Sequence, residues 1–388
     1  MNTYELIAPC HFGLESVTRN EIYDLGYEIT EVSDGRVSFT GDAEAVVRAN
    51  IGLRTAERVL LKVGSFEART YEELFQGTMA LPWEEFLPWD ARFWVTKASS
   101  VRSAVFSPSD IQSVMKKAMV ERMKKIHHLE VFPETGASFP VRVFILKDQV
   151  TAAIDTTGES LHKRGYRKFA VKAPIAENLA AGLIALTPWR SGRILVDPFC
   201  GSGTIPIEAA MIAANIAPGV NRSFTAESWK SLIPEKLWRE VREECLEAET
   251  PGVETDIQGY DIDPEAVKAA RENAKLAGVD HLIHLQVRGV EQLSHPKKYG
   301  FILTNPPYGE RIGGDDVAPL YKALGERYRQ LDSWSMYIIS SYEGCEASLG
   351  LKAQKNRKIY NGMLRTYFYQ FPGPKPGKNS RHDQGSRS

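Results

Sequence analysis

Five short apolar runs recur in the second half of the chain: Arg193 to Val196, Asp256 to Tyr260, Leu282 to Val287, Gly300 to Leu303 and Ser335 to Ser340. Segments with helical spacing, such as Ile205 to Ala214, lie between them. Strand and helix in alternation predict an open α/β sheet with parallel strands and helices on both faces, because parallel neighbours need a crossover long enough to hold a helix. The stripe Ile175, Leu179, Leu183 and Leu186 ahead of the first run reads as a core helix. Open sheets of this kind bind ligands at the carboxyl ends of their strands. The residues that follow each run are therefore where function is to be sought.

After the first run stands Asp197-Pro198-Phe199-Cys200-Gly201-Ser202-Gly203-Thr204, leading into a helix. Glycines let the backbone approach a ligand, and the N–H groups of a helix start lack intrahelical partners. The loop has neither the lysine of a phosphate loop nor the GxGxxG spacing of a dinucleotide fold. Asp197 would repel a pyrophosphate and attract an ammonium, which suits a cofactor with an α-amino group and a carboxylate; S-adenosylmethionine has both. The candidate cofactor residues here are Asp197, Pro198, Cys200, Gly201, Ser202, Gly203 and Thr204, with Cys200 read as a packed turn residue.

At the second run, Asp261 is placed to accept from ribose hydroxyls, while Asp263 reads as the cap of a helix with Pro264 at its first position and Gly278 at its stop. Gly203 and Asp261 stand 58 positions apart. A dinucleotide fold allows roughly 20, so an insertion from Ala217 to Glu254 is expected.

The fourth run ends in Thr304-Asn305-Pro306-Pro307-Tyr308-Gly309-Glu310-Arg311. Two prolines stop the strand in an extended, rigid loop. There the Asn305 side chain, the free carbonyls of the loop and the flat face of Tyr308 could hold a planar amide-like ring, and a nucleobase is such a ring. Asn305, Pro306, Pro307 and Tyr308 are the catalytic candidates; Asn305 also borders the cofactor, and Arg311 is a candidate phosphate contact.

At 388 residues the chain exceeds one hydrophobic core, and 43% hydrophobic with 25% charged residues is a globular composition. No run of about 18 apolar residues occurs and MNTYELIAPC is not a signal sequence, so a cytoplasmic protein without a membrane span is expected. Four scattered cysteines and eight histidines have no metal spacing, and no metal is expected.

Ahead of the alternating region lie two small α+β patterns. Lysine and arginine outnumber aspartate and glutamate by 13 to 7 over residues 101–172, against 9 to 16 over residues 1–100. A helix from Ser109 to Ile126 buries Ile111, Val114, Met115, Ala118 and Met119 and offers Lys116, Lys117, Arg122, Lys124 and Lys125 as a basic side. HKRGYRKFAVK, His162 to Lys172, interleaves cations with Tyr166 and Phe169. Lys116, Lys117, Lys124, Lys163, Arg164, Arg167 and Lys168 are accordingly RNA-contact candidates, against a solvated helix face and a charged hinge as the plainer readings. Near the end, Arg357 to Tyr360, Asn361-Gly362 and Leu364 to Phe371 predict a hairpin with a type I′ turn, followed by a polar tail.

DPxCGSGT with NPPY resembles the class I S-adenosylmethionine-dependent amino-methyltransferases. NPPYGER, APGxNRxF and FGLE resemble the bacterial THUMP-domain RNA guanine-N2 methyltransferases of the UPF0020 type, related to the N-terminal half of the large-subunit rRNA guanine methylase. By composition residues 161–172 read as a basic linker and 373–388 as a disordered tail; the resemblance implies a ferredoxin-like domain over residues 1–64, an RNA-binding THUMP domain over 65–160 and a Rossmann-like methyltransferase domain over 173–372. It implies S-adenosylmethionine as cofactor and RNA, ribosomal or transfer, as partner, and places Pro174 and Asn178 beside the cofactor. In the family an acid near the adenine amine follows the third strand; Gly289 stands there, with Glu291 close by. The alternatives are methylation of adenine N6 in DNA, which the same NPPY loop would serve, and a non-catalytic RNA-binding scaffold.

Overall fold

A computed structural model of the chain describes residues 3–169, 174–308, 317–362 and 364–376. The chain divides into two compact units. The first holds the residues up to 10, 18–161 and 219–244; the second holds 11–17, 162–218 and those from 245 onward.

In the first unit β1 (Tyr4–Pro9), β2 (Glu28–Ser33), β3 (Arg36–Gly41), β4 (Leu60–Glu67), β5 (Arg92–Val101), β6 (Ser138–Leu146) and β7 (Gln149–Asp155) form one sheet in the order β2-β3-β1-β4-β7-β6-β5. Among these strands only β5 and β6 pair in parallel. The division expected at residue 64 falls inside β4, because Leu60 and Leu61 pair with β1 while the strand as a whole runs along β7. The two α+β patterns thus share one backbone ladder.

Helix α1 (Glu15–Asp24) precedes α2 (Ala43–Gly52), whose first turn is capped by Asp42 accepting from the Ala45 N–H at 3.1 Å. Helix α3 is Tyr71–Ala80, and α4, Pro108–His127, is one residue longer at each end than its apolar spacing predicts. Part of the expected insertion belongs to this unit. Trp229 stacks on Phe139 at 4.6 Å and donates its indole N–H to the Ser138 carbonyl at 2.9 Å.

In the second unit α5 (Glu177–Ala185), α6 (Thr204–Ala213), α7 (Glu235–Glu247, which crosses from the first unit), α8 (Pro264–Leu276) and α9 (Ala318–Tyr328) accompany seven strands. These are β8 (Leu195–Asp197), β9 (Ile257–Asp261), β10 (Ile283–Val287), β11 (Phe301–Thr304), β12 (Ser335–Ser340), β13 (Lys355–Asn361) and β14 (Leu364–Phe371), in the order β10-β9-β8-β11-β12-β14-β13. The first five in this order run parallel, as the alternation predicts, and the hairpin adds two antiparallel strands. Side chains alternate between two cores: Leu195, Ile257, Phe301 and Leu303 on one face, Val196, Tyr260, Ile302 and Met336 on the other.

Two local expectations shift. Asn361 stays in the ladder opposite Leu364, so the tight loop begins at Gly362, whose φ of +63° a glycine adopts without strain. Residues 377–388 of the expected tail lie outside the described residues.

Residues 11–17 join the second unit. Leu14 is fully buried in its core, where a Cβ on Gly182 would stand 2.4 Å from Leu14 Cδ1. Leu14→Ala should therefore lower stability by about 2–5 kcal/mol. The check is the urea midpoint, followed by a probe in the second unit; an unchanged midpoint would contradict this packing.

Candidate active site

The chain runs from β8 through β9 to β10 on one side of the sheet, then returns to β11 on the other side of β8. Strand order thus reverses between β8 and β11, which makes a crevice at their carboxyl ends. Asp197 closes β8 and Thr304 closes β11, and the Thr304 hydroxyl donates to Asp197 Oδ1 at 2.6 Å across the reversal.

Asp197 is 2% exposed and also accepts the Phe199 N–H at 3.1 Å. Burial pushes its carboxyl up to about 7, with the charge of Asp261 adding to the rise. Asp261 Oδ2 accepts the Gly201 N–H at 2.9 Å and its Oδ1 the Asp263 N–H at 3.0 Å; burial raises this carboxyl too. Asp263 accepts from the Glu265 N–H and caps α8, with Pro264 at the first helical position.

Gly201 and Gly203 have φ of +53° and +85°, and a Cβ on Gly203 would lie 2.9 Å from the Cβ of Ala270. The glycine turn is therefore pressed onto α8 and delivers the chain into α6 at Thr204. Cys200 is buried in the turn with its thiol raised well above the ordinary value by burial, a poor nucleophile.

Asn305, 9% exposed, follows β11, and its Oδ1 has no hydrogen-bond partner among the described residues. Asn178 Nδ2, Ser202 Oγ and Glu177 Oε2 are likewise buried and unpartnered there. Tyr308 is 3% exposed, and its hydroxyl lies 3.4 Å from Asn361 Nδ2 at the hairpin tip. Among the described residues, no group of three or more His, Cys, Asp or Glu side chains is arranged to hold a metal, and no helix is long and apolar enough to cross a membrane.

Residues 164–370 match the RMKL-like methyltransferase domain, residues 5–60 the RlmL ferredoxin-like domain and residues 68–155 the THUMP domain. The chain belongs to the RMKL-like methyltransferase family. It is 44% identical over 376 residues to "Putative RNA methyltransferase YpsC" of Bacillus subtilis, covering 96% of each chain. It is 33% identical over 389 residues to "Ribosomal RNA large subunit methyltransferase K/L" of Cellvibrio japonicus, covering 95% of this chain and 51% of that one. It thus spans about half the length of that relative. The crystal structure of "a putative methyltransferase complexed with SAH" is 42% identical and similar at a TM-score of 0.91, covering 97% of this chain and 100% of that one.

In this methyltransferase unit the residues singled out at the ends of β8, β9 and β11 come together. The basic segment behaves differently from expectation. Arg164 is 5% exposed and faces Glu208 at 3.5 Å, with the Tyr166 hydroxyl donating to the same carboxylate at 3.0 Å. Arg167 donates to the Ile175 carbonyl at 2.6 Å and the Thr204 hydroxyl at 3.0 Å and pairs with Glu177 at 3.1 Å. Neither arginine presents its guanidinium to an RNA phosphate, because Arg164 holds this segment to α6 through Glu208 and Arg167 holds it to the start of α6 and to α5. Lys163 and Lys168 are exposed.

On α4, Lys116 pairs with Glu134 and sits 4.2 Å over the Phe93 ring, so it braces its own unit; Lys117 is exposed and Lys124 half-buried. Arg311 lies outside the described residues, as do Gly309 and Glu310.

Sequence reasoning missed Thr304, Asn273 and Asn361. Asn273 donates to the Phe169 and Ser202 carbonyls at 2.8 and 3.1 Å, fastening the basic segment to the turn. Asn273 stands on the apolar stripe of α8 with Ala266, Val267, Ala270 and Ala274 and is fully buried; a lone amide on that stripe is a local sign of a buried partner but does not say which one.

An acid that titrates near 7 when folded, against its usual 3.8, holds an extra proton in the native state between those values. The stability this confers is lost as pH rises through about 7. The urea midpoint of the ligand-free chain should therefore fall between pH 5 and pH 8. Asp197→Asn should lessen the fall by up to about 1.4 kcal/mol for each pH unit between 5 and about 7, Glu177 supplying a remainder of the same sign. Identical pH slopes in the two chains would refute the assignment.

Proposed function

We propose that this chain transfers a methyl group from S-adenosylmethionine to the exocyclic N2 of a guanine in structured RNA, with large-subunit ribosomal RNA as the expected substrate. The observation that carries the reading is the unpartnered Oδ1 of buried Asn305 at the end of β11. A buried acceptor without a donor costs about 1–3 kcal/mol, so its retention beside the strand reversal fits a site kept for an amine. The family match, the THUMP domain and the names of the two relatives support RNA.

The residues present fit the cofactor. Asp197 suits its ammonium, the N–H groups of the turn from Gly201 to Thr204 its carboxylate, and Asp261 its ribose; the unpartnered Ser202 Oγ and Asn178 Nδ2 supply further polar contacts. A Cβ on Gly289 would lie 2.7 Å from Glu291 Oε2, so the Glu291 carboxylate stands beside the position where the family has an acid near adenine and would, with the backbone there, be the group to meet that amine; Ile262, exposed just past β9, would flank the ring. When bound, S-adenosylmethionine supplies an electrophilic methyl on a sulfonium.

The amine of guanine is a weak nucleophile because its lone pair is delocalised into the ring. Asn305 Oδ1 and the Pro306 carbonyl accept its two hydrogens, which pyramidalises the nitrogen and directs the lone pair. Pro307 stiffens the loop and Tyr308 holds the base, so catalysis comes from orientation and fixed dipoles. Asparagine is not basic enough to take the proton, which leaves to water.

The test is methyl transfer from labelled S-adenosylmethionine to total RNA and DNA of cells lacking this protein, with nucleoside mass spectrometry. Labelled N2-methylguanosine in RNA is expected. Asn305→Ala should lower kcat by about 10²–10³-fold. Label in N6-methyladenine of DNA, or full activity of Asn305→Ala, would overturn the reading.

A further inference from the structure

Strands β13 and β14 present one face on which cations and aromatic rings alternate. Lys358 pairs across the ladder with Tyr367, and Tyr360 with Arg365. Lys358 Nζ lies 5.0 Å from the centroid of the Tyr360 ring, and Arg365 Cζ lies 5.9 Å from that of Tyr367. Both cations are exposed, and among the described residues neither pairs with a carboxylate. Side chains of the opposite face, Ile359, Thr366 and Phe368, are fully buried, which seats the hairpin firmly. Phe12, 38% exposed, meets Tyr360 edge-on at 5.9 Å. The tip of the same hairpin touches the NPPY loop through Asn361 and the Tyr308 hydroxyl.

We propose that this face is the docking platform for the single-stranded RNA flanking the target nucleotide. The inference rests on the RNA substrate argued above and adds where that strand runs. A base delivered to Asn305 must leave its stack, which costs a few kcal/mol and exposes the faces of its neighbours. Tyr360 and Phe12 offer rings for those faces, and Lys358 and Arg365 neutralise the adjoining phosphates. Contact between the hairpin tip and Tyr308 makes the platform continuous with the loop that takes the target base.

Binding of a fluorescein-labelled oligouridine 12-mer to the full chain tests this, by anisotropy between 50 and 200 mM NaCl. Lys358→Ala/Arg365→Ala should weaken binding on the order of tenfold and make the log–log salt slope shallower by about 1.4, roughly 0.7 for each lost phosphate contact. Lys358→Glu/Arg365→Glu should weaken it further, and Tyr360→Leu should weaken it with the slope unchanged. Lys268→Ala/Lys275→Ala, an equal charge change on α8, should bind as the unaltered chain does. The same hairpin variants should raise KM for RNA in the methyl-transfer assay with cofactor affinity unaltered. Failure of the unaltered chain to bind the 12-mer, or equal affinity and slope in the hairpin variants, overturns the platform whatever the transfer assay reads. Weakened binding in those variants together with no methylated guanine upholds the platform and sinks the reaction instead.

Discussion

The hydrogen bond from Thr304 to Asp197 stands at the one place where the sheet of the second unit changes direction, and the rest of the site is arranged around it. A carboxylate this deeply buried is costly to ionise. Two short-range donors, the Thr304 hydroxyl and the Phe199 N–H, offset only part of that cost, which is why the group sits up near 7. A cationic ligand would shift the balance toward the ionised form, so affinity for an ammonium and release of a proton are coupled at this residue. Asp261 extends the same logic: by holding the Gly201 N–H it ties the end of β9 to the turn after β8. Three strand ends are thereby fixed against each other before any ligand arrives.

What was legible in the sequence was whatever depends on near neighbours. The proline pair after β11, the glycines before α6 and the cap at Asp263 are set by the conformations of a few consecutive residues, and the structure has them where their chemistry requires. Strand alternation gave the parallel region for the same reason. Strand order was not legible, because register and neighbour choice follow from side chains far apart in the chain. Nor was the sharing of β4 by two ladders, or the recruitment of residues 219–244 into the first unit. The displaced hairpin turn belongs here as well: Asn-Gly is a strong turn signal, yet Asn361 remains in the ladder, with its side chain against the Tyr308 hydroxyl.

The basic segment shows why counting charges misleads. Within HKRGYRKF the two arginines turn inward and the two lysines stay in solvent. Guanidinium is weakly hydrated and presents a planar fork of donors, so it can be buried against a carboxylate where a strongly hydrated ammonium cannot easily follow. Glu208 and Glu177 lie 44 and 10 positions downstream of their arginines, beyond the reach of any helical spacing rule. Sequence composition supplied the number of cations but not their partners. On this basis arginines flanked by aromatics are weaker evidence for a phosphate surface than lysines in the same run.

The motif FGLE near the start of the chain can be accounted for residue by residue. Strand β13 is outermost in its sheet, and an uncovered edge invites pairing with another chain. His11 lies along that edge, with Nδ1 3.1 Å from the Tyr360 carbonyl and Nε2 3.2 Å from Asn178 Oδ1. Gly13 has a φ of +93°, and a Cβ there would stand 2.6 Å from the Lys358 carbonyl oxygen, so only glycine lets the two backbones approach. Arg357 donates to the Gly13 carbonyl at 2.9 Å, and Glu15 accepts the Gly13 N–H at 2.9 Å, fixing the bend from both sides. That bend is what drives Leu14 into the core against Gly182 and leaves Phe12 outside against Tyr360. Phenylalanine, glycine, leucine and glutamate are thus four answers to one problem, sealing a sheet edge that adjoins the NPPY loop, and any substitution that straightens the bend should withdraw the aromatic ring and the apolar anchor together.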